Sequence, residues 1–60
     1  MNNKEVKACN LSESGIYFAM SLNTGFPVKR FDCLSECLGF CAKDENECYP
    51  VTNNFEVIIL

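Results

Sequence analysis

The clearest hydrophobic pattern in the chain lies over residues 15–22, where Ile16, Phe18, Met20 and Leu22 alternate with Tyr17, Ala19 and Ser21. A period of two marks a half-buried strand. Upstream, residues 5–11 form a weaker strand candidate, linked to the first through Ser12, Glu13, Ser14 and Gly15, which have the composition of a hairpin loop. Downstream, Asn23, Thr24 and Gly25 can make a three-residue hairpin loop with Gly25 in the left-handed position. The strand expected over residues 26–31 contains Pro27, which donates no ladder bond and so confines it to an edge or to irregular structure.

The period changes at Asp32, a side chain suited to accept from the free amides at a helix start. A helix is expected from residue 33 to residue 42 or 43, with Gly39 weakening its interior and Lys43 near its negative end. Leu34, Cys37, Leu38 and Cys41 recur at i, i+3, i+4 and i+7, the stripe such a helix presents to a sheet. Asp44, Glu45, Asn46 and Glu47 read as an exposed acidic loop, and Tyr49, Pro50, Asn53 and Asn54 as its irregular continuation. Residues 55–60 form the last expected strand, with Phe55, Val57 and Ile59 on one face and Glu56, Ile58 and Leu60 on the other. The pattern predicts a single small α+β domain over residues 1–60. Its antiparallel sheet has three to four strands packed on one short helix, in the order β-β-(β)-α-β.

At 60 residues the buried apolar area only just offsets the entropy of ordering the chain, so a covalent staple, a metal or a partner subunit is needed. With 48% hydrophobic and 22% charged residues the chain is globular rather than disordered. The net charge of −3 argues against a surface that neutralises phosphates, so no nucleic-acid partner is expected. No apolar run is long enough to span a bilayer, and no secretory signal is legible at the N-terminus, which leads to the expectation of a cytoplasmic protein without a membrane partner. The charge is divided unevenly, +2 over residues 1–30 and −5 over residues 31–60. Asp44, Glu45 and Glu47, with Tyr49 beside them, are therefore the residues expected to meet a larger protein with a basic surface. Tyr17 and Phe26 are further candidate aromatic anchors.

The cysteines, Cys9, Cys33, Cys37, Cys41 and Cys48, admit several readings. Their odd number forbids complete intramolecular pairing, and a disulfide framework needs an oxidising compartment. Zinc would supply stability, but the spacers of three, three and six residues lack the paired Cys-x2-Cys knuckles of strong zinc motifs. On a regular helix Cys33 and Cys41 stand about 12 Å apart along the axis, so the workable ligand set is Cys9, Cys37, Cys41 and Cys48. Without histidine there is no imidazole to activate a thiol or serine, and the scattered glycines make no phosphate loop, so no enzymatic activity is expected. The favoured reading makes all five thiols free, as small buried hydrophobes, with no cofactor.

Cys33 and Phe40 widen the apolar arc of the helix, and Ile58 and Leu60 make the last strand apolar on both faces. These four residues are therefore expected at a homodimer interface. The leading functional expectation is a non-enzymatic acidic protein that inhibits or regulates a larger one. Small inhibitors that phages direct at host defence or nucleic-acid-handling enzymes have this size and charge. A zinc-stabilised adaptor and a secreted cysteine-rich peptide are the alternatives.

Overall fold

The computed structural model describes residues 9–59. Strands β1 (Ser14–Ser21), β2 (Pro27–Cys33) and β3 (Cys48–Thr52) form an antiparallel sheet in the order β2-β1-β3, and helix α1 (Leu34–Ala42) connects β2 to β3 across one face. This is the expected α+β fold, in the order β-β-α-β.

β1 is central because its residues are apolar on both faces. Ala19 is fully buried toward α1, where it joins Phe31, Cys37 and Cys48 in the core, with Tyr17, Phe40 and Cys41 packed around them. The expected stripe of α1 is inward: Cys37 is completely buried, and Leu34, Leu38 and Cys41 are half-buried. Phe31 and Phe40 meet with ring centroids 5.5 Å apart. On the opposite face Met20 and Val51 are buried, and Phe18 stacks on Phe55 at 5.5 Å and 17°. The alternation of Ile16, Phe18, Met20 and Leu22 thus marks the face away from the helix, while Tyr17 and Ala19 between them face α1.

Several local expectations are corrected. Leu11–Glu13 is a short 3-10 turn rather than the end of a strand, and residues 5–8 of that candidate lie outside the described residues. β2 runs on to Cys33, so Asp32 sits inside the strand and Cys33 takes the N-cap position with no side-chain cap. β3 forms where irregular chain was expected. Pro50 is tolerated there because its carbonyl accepts from Ile58 N at 3.0 Å, so its backbone faces away from β1 and the missing N–H removes no bond to it.

Residues 55–60 do not form a strand of their own among the described residues. Thr52 N donates to Glu56 O at 2.9 Å, Phe55 takes a left-handed φ of 64°, and the chain turns back along the outer edge of β3, touching it through the single bridge Val51–Val57. Phe55 thereby occupies the left-handed position of a tight turn normally given to glycine or asparagine, and its ring is delivered onto Phe18.

The two ends of the sheet

At one end of the sheet, β1 and β2 join through a hairpin tip that matches the sequence expectation. Gly25 is left-handed at φ 77° and its N–H donates to Ser21 O at 3.0 Å. The Ser21 hydroxyl accepts from the amides of Asn23 and Thr24, at 3.0 and 3.1 Å. The acidic segment folds against this tip. Asp44–Asn46 is a 3-10 turn, and Glu47, left-handed at φ 51°, follows it. Leu22 N donates to Glu47 O at 2.8 Å, and Asn23 Nδ2 donates to the Glu47 carboxylate at 2.6 Å. Asn46 Nδ2 donates to Phe40 O at 2.7 Å, fixing the other side of the turn to the end of α1.

The acidic residues therefore separate into two kinds. Glu47 is a structural clamp whose carboxylate is occupied by Asn23, whereas Asp44 and Glu45 are exposed. Phe26 is 70% exposed and Leu22 65%, both on the hairpin that Glu47 holds. Of the aromatic candidates, Tyr17 belongs to the core periphery, Tyr49 is half-buried, and Phe26 stands in solvent. Sequence reasoning placed the acidic loop and the hairpin separately. No spacing rule signals that Glu47 brings them to one end.

The opposite end carries a disulfide. Cys9 and Cys33 form a disulfide, with Cα atoms 5.8 Å apart, which corrects the expectation that all five thiols are free. Cys33 is 6% exposed and is covered within its own chain, whereas Phe40 packs on Phe31 but stays half-buried. Cys33 is thus not left bare in the single chain, and bareness is the ground for expecting it at a dimer interface. Ile58 is half-buried beside a cleft of about 270 Å³ lined by Leu38, Cys41, Ala42, Cys48, Tyr49 and Pro50, and Leu60 lies outside the described residues.

A Glu13 carboxylate oxygen stands 4.0 Å from the Cys33 sulfur and the Ser35 hydroxyl 3.3 Å from it. A disulfide sulfur has no proton, so of these only Ser35 donates. Cys9, Glu13 and Cys33 bring their ligand atoms within 4.8 Å of one another, but they offer two thiolates and a carboxylate only once the bond is reduced.

Of the zinc set Cys9, Cys37, Cys41 and Cys48, the bond to Cys33 removes Cys9 as a thiolate. The other three are free. Cys37 Sγ donates to Phe18 O at 3.5 Å and Cys48 Sγ to Asn46 O at 3.1 Å. Burial raises the Cys37 thiol pKa, and burial followed by the nearby Cys37 and Cys48 thiols pushes Cys41 up to about 12. At neutral pH the Cys37 and Cys41 thiols are therefore protonated, which makes them inert as nucleophiles.

Among the described residues no helix is long and apolar enough to cross a membrane. The chain matches no protein-family model, no curated protein and no solved structure.

Proposed function

We propose that the chain is a non-enzymatic binding module that regulates a larger protein by occupying a site on it, with the hairpin tip and the acidic turn as its docking surface. The supporting observation is that Glu47 ties the hairpin that carries the exposed Leu22 and Phe26 to the turn that carries the exposed Asp44 and Glu45. An aromatic anchor and a pair of exposed carboxylates at the same end of the sheet fit an apolar pocket with lysine or arginine nearby. Inhibition, as expected from size and charge, follows wherever that pocket is itself a working site of the partner.

The test separates anchor from charge. A protein retained by the immobilised wild-type chain is purified, and its binding kinetics are followed against Phe26→Ser and against Asp44→Lys with Glu45→Lys. Phe26→Ser should speed dissociation at least about tenfold, and the charge reversal should slow association and remove its salt dependence. Unchanged kinetics in both variants would sink the reading. Glu47 is left intact, because reversing it would loosen the hairpin and confuse the result.

A second reading, the secreted cysteine-rich peptide, is favoured by the Cys9–Cys33 bond. Cytoplasmic placement requires that pair to be kept reduced, whereas an oxidising compartment preserves it. The mass of the chain isolated under acid quench decides between them, since the bond lowers it by about 2 Da.

A further inference from the structure

The two outer edges of the sheet differ. The edge of β3 is covered by the returning C-terminal segment, through Thr52 N to Glu56 O and Ile58 N to Pro50 O. Among the described residues no backbone pairs with the outer edge of β2.

Which groups β2 leaves open follows from the alternation of the ladder. Pro50 and Thr52 face outward, so Tyr49 and Val51 face β1, and their opposite residues Met20 and Phe18 spend their backbone groups on β3. Tyr17, Ala19 and Ser21 then face β2, in agreement with the 2.9 Å bond from Ser21 N to Phe26 O. Their partners Phe31 and Lys29 are satisfied by β1. Arg30 and Asp32 consequently turn their N–H and C=O groups away from the sheet. Their side chains lie on the face opposite α1, 3.2 Å apart and largely in solvent.

We infer that this edge pairs with the same edge of a second copy, antiparallel about a two-fold axis at Phe31. A two-fold centred on Lys29, Arg30 or Asp32 sets like charges directly opposite one another, which disfavours pairing. Centred on Phe31, it sets Arg30 opposite Asp32 of the second copy on both sides of the axis, with the outward backbone groups of the two residues bonded reciprocally. The charges that deter an arbitrary strand from adding to this edge thus favour self-pairing in this register. The sheet becomes six-stranded, and the hairpin tips with their acidic turns remain outside the contact. The inference is independent of the proposed docking function.

Amide exchange of the full chain by NMR, from about 10 µM to about 1 mM, tests this directly alongside sedimentation. The amides of Arg30 and Asp32 should gain protection as the dimer forms, while those of Lys29 and Phe31 stay protected throughout. Arg30→Glu or Asp32→Lys should raise the dimer dissociation constant about tenfold or more, and Arg30→Asp combined with Asp32→Arg should restore it to within about threefold. A monomer at the highest concentration, or a dimer in which the Arg30 and Asp32 amides stay unprotected, would overturn the proposal. A double exchange no better than the single reversals would overturn the register.

Discussion

One end of the sheet is pinned by the Cys9–Cys33 bond, while at the other hydrogen bonds hold an acidic turn to a hairpin that exposes Leu22 and Phe26. At the pinned end Cys33 is buried, Cys9 is tied to it, and the Tyr17 ring lies over Gly15, where an added Cβ would meet the Tyr17 hydroxyl at 3.2 Å. At the open end Leu22 and Phe26 stand in solvent on a hairpin organised by the Ser21 hydroxyl and tied by Glu47 to the turn that carries Asp44 and Glu45. A chain this short cannot bury both ends with its own apolar surface. The disulfide stabilises one end, and the other keeps Leu22 and Phe26 in solvent.

The largest expected effect comes from opening the pinned end. A bond across a sequence separation of 24 residues is worth about 3.5 kcal/mol in chain-entropy accounting, a large share of what so small a domain can hold. Urea unfolding with and without reductant, or with Cys9→Ser, should show a loss of this order.

Next in size is the clamp at the open end. Glu47→Ala removes the carboxylate that accepts from Asn23 and leaves the left-handed backbone in place, so it should cost about 1 kcal/mol. Glu47→Gln keeps an acceptor oxygen and should cost less in the same thermal melts. Loss of the clamp should also weaken partner binding, because it frees the acidic turn from the hairpin.

The core between the ends gives a pH signature. The Cys37 and Cys41 thiol pKa values are raised in the folded chain, Cys41 to about 12, from an ordinary value of 9.0. The unfolded chain therefore releases these protons at lower pH than the folded one. Their contribution to stability is complete below about pH 9 and is lost as the pH rises toward 12. Denaturation midpoints should be flat with respect to these groups near neutrality and fall in alkali, and replacing Cys41 by Ala should flatten the alkaline fall. The disulfide pair takes no part in this titration.

The smallest expected effects are at the docking residues themselves. Asp44→Lys with Glu45→Lys, and separately Phe26→Ser, should change stability by no more than about 0.5 kcal/mol, since none of these side chains is buried. Chemical denaturation measures this. A large loss would mean that the open end is structural rather than available.

The elements legible in the sequence were those whose local signals agree. The alternation over residues 15–22, Gly25 in its turn and the Leu34, Cys37, Leu38, Cys41 stripe each gave the correct element. β3 was hidden by Pro50, whose cost depends on which way its backbone faces, a property of the pairing and not of the residue. The reversal at Phe55 was hidden because an aromatic in a left-handed turn contradicts propensity and is supported only by the distant ring of Phe18. The two apolar faces of β1 could not be ranked from alternation, because a central strand is covered on both. The Cys9–Cys33 bond was illegible because pairing among five cysteines is set by the fold, and the sequence offered no oxidising context. At the site, Asp44 and Glu45 were legible as an exposed acidic loop, but the exposure of Phe26 and the structural role of Glu47 required knowing how the hairpin sits and that the acidic turn meets it.

The most direct measurement is a chemical-shift map of the labelled chain titrated with the partner purified by the wild-type protein. The account expects perturbed amides at residues 22–26 and 44–47, with those at residues 9–16 unmoved. Shifts concentrated at the disulfide end or along α1, with the hairpin tip unaffected, would contradict it.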